Sequence, residues 1–270
     1  MELPNIVKDL VASIDNCEHN DVLIKVDDGQ VAANKFMLSV RSTYFAAMFS
    51  KSSNFKEEKE SCVQFETKRV IMRIIIEYIY GGKIEVSTLT CAEVIELMKM
   101  LRFFCLFDGV EEVEDMFKKK LELRKYPLQE VFDVIDMVIS LNMEKPKICI
   151  ICFFAISLEA MNESHADSIR QLSYEIILDV LKYIDSVEKR ISPRLLSCNM
   201  QLRKLEFVSN WIQSKGNNTS EEMKNKFQSY FKLENFTVNQ LVGAVRDTNI
   251  FHLEDILEAV QRIVILNVIF

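Results

Sequence analysis

The first fourteen residues already carry a pattern. Leu3, Ile6, Val7, Leu10, Val11 and Ile14 recur at i, i+3, i+4, i+7, i+8 and i+11, one apolar stripe of an amphipathic helix. Pro4 sits at its start, where a missing N–H costs little. Residues 21–26 and 31–33 are β-rich, and Asp28-Gly29 between them predicts a hairpin, since both types tolerate positive φ. From Lys35 the spacing turns helical, with Phe36, Leu38, Val40, Tyr44, Phe45, Met48 and Phe49 crowding one segment. A polar loop over 50–60 precedes a short strand at 62–65. Val70, Ile71, Ile74, Ile75, Tyr78 and Ile79 then mark a helix that Gly81-Gly82 should stop. A brief strand at 83–86 and helices at 91–104 and 110–121 complete this part.

After Pro127 the alternating pattern disappears. Helices are expected at 128–141, 147–161, 174–184, 202–213, 221–231 and 253–266, with a polar loop at 214–222. The change near 124–127 divides the chain into a small mixed α+β domain, 1–124, and an all-helical domain, 125–270. Length agrees, because 270 residues at roughly 100–200 per domain suggest two. Six glycines and four prolines are too few for a turn-rich all-β chain, and 49% hydrophobic residues supply a core.

Charge and cysteine usage narrow the class. With 33 basic and 40 acidic residues the formal charge is −7, without the basic footprint of a nucleic-acid binder. The most apolar internal stretch, 148–158, is about half a bilayer span, and the N-terminus lacks the basic-then-apolar layout of a secretory signal. Seven cysteines, an odd number among apolar neighbours, read as buried thiols in a reducing compartment, so the sequons at Asn162, Asn217 and Asn235 should stay bare. A cytosolic protein is expected, with the nucleus also open to it.

Catalytic constellations are missing. No glycine-rich phosphate cradle occurs, and His19, His165 and His252 are far apart in sequence. Cys149 and Cys152 match C-x-x-C, but a zinc site needs two more ligands and a redox site needs a βαβ setting. Glu57-Glu58 and Glu111-Glu112 fall in charge-rich segments that read as solvated faces. No metal, no cofactor and no enzyme activity are expected; what remains is a binding module.

Asp21-Val22-Leu23-Ile24, the hairpin, the run from Ala33 to Phe49 and Tyr78-Ile79-Tyr80-Gly81-Gly82 together resemble the signature of the BTB/POZ domain over about residues 5–121. Asn34 departs from it, standing where the family usually has histidine. The remainder, from Leu128 through Leu172–Ile184 to Trp211, resembles the BACK domain of kelch-like proteins, and about 60 residues after Trp211 leave no room here for a kelch propeller. The resemblance implies a homodimer paired through the N-terminal helix, with Leu3, Ile6, Val7, Leu10, Val11 and Ile14 at the interface. It also implies a partner. Phe55-Lys56-Glu57 matches the φ-x-E motif by which such adaptors grip the type-3 cullin, and Phe104 takes the place of an aromatic used at the same surface. The expected role is an adaptor that positions an unknown protein substrate on a cullin-RING ubiquitin ligase, without nucleic-acid or membrane partners. Alternatives are a scaffold for corepressor or cytoskeletal assemblies, or a competitor that occupies the cullin without a substrate domain.

Overall fold

The computed structural model describes residues 5–16, 18–50, 61–161, 163–188, 198–215, 219–248 and 250–269. The chain divides into two compact units, Met1–Pro146 and Lys147–Phe270. The first begins with helix α1 (Asn5–Ala12), followed by strands β1 (Val22–Val26) and β2 (Gly29–Ala33). Val26 pairs with Gly29, so the antiparallel hairpin turns on Asp27-Asp28 rather than on the Asp28-Gly29 pair expected. Asp28 also reaches forward along the chain. Its carboxylate accepts the Arg69 N–H, an acceptor that the N-cap Lys68 does not supply. Strand β3 (Cys62–Gln64) runs parallel to β1 on its other side, giving a mixed sheet ordered β2-β1-β3.

Where one helix was expected over 35–49 there are two, α2 (Lys35–Arg41) and α3 (Thr43–Met48). Ser42 breaks the run. Its φ and ψ of −117° and 116° are extended, and its hydroxyl accepts from Phe45 N at 3.2 Å while donating to Phe104 O at 2.7 Å. A fully buried hydroxyl with both partners in place makes the break a specified corner. Asn34 caps α2 through its own side chain, which accepts from Met37 N, and its backbone N–H donates to the Tyr80 hydroxyl at 2.8 Å.

Helix α4 (Arg69–Ile79) ends at the glycine pair, with Gly81 at φ 92°. A Cβ on Gly82 would lie 2.7 Å from Glu77 O, so only glycine fits there. Residues 83–86 are not a strand: Ile84 and Val86 are buried, but the Lys120 ammonium takes the carbonyls of Val86, Ser87 and Leu89 that a neighbouring strand would have bonded. Helices α5 (Cys91–Phe103), α6 (Phe107–Glu122) and α7 (Leu128–Ser140) pack against one another around α5. A Thr90–Glu93 capping box starts α5, and Cys105 at φ 57° ends it before α6 begins. Compositional change put a boundary at 124, yet α7 belongs to the first unit, burying Val131, Val134, Ile135 and Val138 and bonding Cys91 N through Glu130.

In the second unit every described element is helical: most of α8 (Glu144–Ser157), then α9 (Ala166–Gln171), α10 (Tyr174–Glu188), α11 (Cys198–Lys215), α12 (Glu221–Gln228), a short α13 (Val238–Gln240) running into a π-helical turn (Leu241–Val245), and α14 (Leu253–Ile269). Trp211 anchors its core, with Nε1–H donating to Leu172 O at 2.7 Å and its ring between Tyr174 and Phe227. Lys204 is fully buried two turns earlier on α11, its ammonium 3.2 Å from Glu188 Oε2 and 3.1 Å from Tyr230 O. The cysteines are less hidden than expected. Only Cys91 is buried among those described, its thiol pushed up to about 12 by burial, while Cys62, Cys105, Cys149 and Cys152 are half-buried.

Candidate protein-interaction surfaces

The leading helix is held by its own subunit first. Val7 and Val11 lean on Gly81-Gly82, where added Cβ atoms would meet them at 3.7 and 3.5 Å. Past the helix, Asp15 at φ 68° ties the chain to both neighbouring elements. Its carboxylate accepts from Ala32 N and pairs with Arg73 and Arg69, and Arg73 also grips Glu77. The six-residue stripe therefore splits. Ile14 is buried in its own subunit, which corrects its assignment to a partner-facing surface: with Asp15 clamped, it has no open face to offer. Val7, Leu10 and Val11 are half-buried, Ile6 is 68% exposed, and Leu3 lies outside the described residues.

Two further apolar side chains stand out on α2. Phe36 is 72% exposed and Val40 63%, one helical turn apart on one face. The sequence signal was present, because Phe36 and Val40 share a face that Leu38, buried at 0%, does not.

A second surface forms where α5 ends. Tyr44, Phe45, Phe65, Phe103 and Phe104 make a continuous aromatic cluster, with centroid spacings of 4.7 Å for both Tyr44–Phe103 and Phe45–Phe104 and 5.0 Å for Phe65–Phe104. Phe104 is at its centre and completely buried, so the expectation that its ring meets a partner is corrected. It caps α5, and the Ser42 bond to its carbonyl draws that turn inward. Phe103 and Phe107 instead point outward, at 48% and 62% exposed, one on each side of the turn. Nearby, a cleft of about 470 Å³ opens between Tyr44, Met48 and the β3 residues Cys62, Val63 and Gln64. Phe55 and Glu57 lie outside the described residues.

Among the described residues no group of three or more histidine, cysteine, aspartate or glutamate side chains could hold a metal ion, and no helix is long and apolar enough to cross a membrane. Burial is the main cause that raises the Tyr80 hydroxyl above its ordinary pKa, leaving a neutral acceptor for the Asn34 N–H.

Comparison with known proteins agrees. Residues 11–121 match the BTB/POZ domain family. The chain is 23% identical over 248 residues to BTB/POZ domain-containing protein 9 of Drosophila melanogaster, an alignment covering 92% of this chain and 31% of that protein. It is 30% identical over 94 residues to Kelch-like protein 28 of mouse and human, covering 32% of this chain and 16% of theirs. The chain thus spans less than a third of the length of each of these relatives. A sheet, hairpin, glycine pair and aromatic turn in this order, together with the family match, mark residues 11–121 as a BTB/POZ domain.

Proposed function

We propose that the protein is a homodimeric BTB/POZ adaptor whose helical second unit is of the BACK type, and that it binds the type-3 cullin and positions protein substrates for ubiquitination. One observation carries this reading. A domain with a close-packed core leaves Ile6, Phe36, Val40, Phe103 and Phe107 between 48% and 72% exposed, a cost that a monomer has no reason to bear. Ile6, Phe36 and Val40 supply the self-association face, with Leu10 beside Ile6 on the leading helix. Each of the three is about two-thirds exposed, so covering one stabilises association by about 1–2 kcal/mol, and two-fold symmetry doubles the sum to a gross ~6–12 kcal/mol. Phe103 and Phe107 supply the cullin face together with Phe55 and Glu57, while Phe104 supports it from beneath.

The experiment is a calorimetric titration with the purified N-terminal domain of the type-3 cullin, run beside light scattering. The chain should behave as a dimer, and Ile6→Asp with Phe36→Asp should halve its mass without unfolding it, since both side chains are exposed. Phe55→Ala with Glu57→Ala should weaken cullin binding by about 2 kcal/mol or more. A wild-type monomer, or no cullin binding by the wild type, removes the adaptor reading.

A further inference from the structure

The second unit contains a cavity of about 400 Å³, walled on one side by Leu202, Leu205, Glu206, Ser209, Asn210 and Gln213 of α11. These fall at i, i+3, i+4, i+7, i+8 and i+11, so one face of the helix lines the cavity, with Leu205 and Ser209 buried against neighbouring segments and Leu202, Glu206, Asn210 and Gln213 more open to it. The face changes character along its length, from leucine at 202 and 205 to hydroxyl and carboxamide at 209, 210 and 213. A face made for packing would carry aliphatic residues throughout. Opposite it stand Met161, after the end of α8, and Ala244, Asp247 and Thr248, from the π-helical turn and the residues just after it. Such turns interrupt regular hydrogen bonding and recur at functional sites.

The polar groups sort into used and unused. Arg203 is matched by Glu206 at 2.7 Å, and Gln213 bonds Ser209 at 3.4 Å. The Asn210 carboxamide and the Asp247 carboxylate make no hydrogen bond or ion pair among the described residues. Arg203 already matches Glu206, which leaves the Asp247 carboxylate as the unmatched charge and the lining net negative. Ala244 and Asp247 are exposed, so the cavity opens to solvent on their side.

We infer that this cavity binds a short peptide segment in which a lysine or arginine stands next to an aliphatic side chain. The aliphatic group lies against Leu202 and Leu205, the peptide amide uses both the donor and the acceptor of Asn210, and the cation meets Asp247. The volume is at the low end of ligand sites, enough for a dipeptide unit, and the open side lets the peptide continue outward. Nothing in this inference depends on cullin binding.

The whole chain is titrated with N-acetyl-leucyl-argininamide and with the neutral N-acetyl-leucyl-glutaminamide. The arginine probe should saturate with a dissociation constant at or below about 1 mM. Replacing the cation, or introducing Asp247→Asn, should weaken binding about tenfold, and Ala244→Trp should abolish it by filling the mouth. Unchanged far-ultraviolet circular dichroism verifies that each variant is folded. No saturation by about 10 mM, equal affinity for the two probes, or affinity that neither substitution alters overturns the assignment.

Discussion

The buried ammonium of Lys204 offers the sharpest energetic test. Its side chain is 0% exposed, with Nζ 3.2 Å from Glu188 Oε2, 3.1 Å from Tyr230 O and 5.5 Å from the centre of the Phe231 ring. At an effective dielectric near 20 the ion pair attracts by about 5 kcal/mol at that distance, before desolvation is subtracted. Lys204→Met keeps most of the apolar stem but removes both charge-assisted hydrogen bonds, leaving Glu188 with the Gln201 amide at 3.0 Å as its donor. Truncating one partner of a buried pair costs about 3–5 kcal/mol. Glu188 retains 14% exposure and is partly rehydrated, which places the loss near ~3 kcal/mol. Adding Glu188→Leu removes the stranded carboxylate, and the double variant should recover to within about 2 kcal/mol of wild type, the remainder being the Tyr230 carbonyl and the Gln201 amide left without partners. The assay is urea unfolding followed by tryptophan emission: Trp211 is the single tryptophan of the chain, so the signal belongs to the second unit. A loss below about 1 kcal/mol for Lys204→Met, or a double variant no better than the single, refutes the reasoning.

Two further predictions concern the first unit. Ser42→Ala should destabilise it by about 2–4 kcal/mol, the sum of a lost helix cap and a buried Phe104 carbonyl without its donor; a thermal shift no larger than that of a surface serine would count against it. The Glu93 carboxylate accepts from Thr90 N first and also from the Lys68 ammonium and the Thr90 hydroxyl, which holds it below its ordinary 4.5. A carboxylate lowered by folding stabilises above its unfolded value and loses that contribution as pH falls through the folded one. Glu93→Gln should therefore melt lower than wild type at neutral pH, with the gap closing as pH falls below the ordinary 4.5 and through the lowered folded value; a gap that stays constant across the range would rule out this linkage.

Much of the fold was legible because local signals agreed with tertiary ones. The leading helix, the hairpin strands and the Gly81-Gly82 stop all appear where periodicity and turn chemistry put them. What escaped was decided at a distance. Ser42 carries the local cue of an N-cap residue, but apolar residues continue across it and mask the break, which is fixed as well by a carbonyl 62 residues away. The 83–86 segment has strand composition, but Lys120 from α6 takes the carbonyl at its end, that of Val86, and the next one, that of Ser87. Helix α9 and the π-helical turn are too short to show a period. At the aromatic turn, Phe103 and Phe104 are adjacent and equivalent in sequence, so nothing local says which ring is sealed inside. The exposed pair Phe36 and Val40 could have been found by asking which face Leu38 leaves behind.

The clamp at Asp15 bears on how subunits would trade partners. Because the arginines at 69 and 73 secure that carboxylate within one polypeptide, the residues that follow the leading helix are fixed in place before any mate is met. In the proposed dimer this anchor need not melt for subunits to exchange, so blending two labelled pools should scramble them at a pace set by simple dissociation, not by refolding.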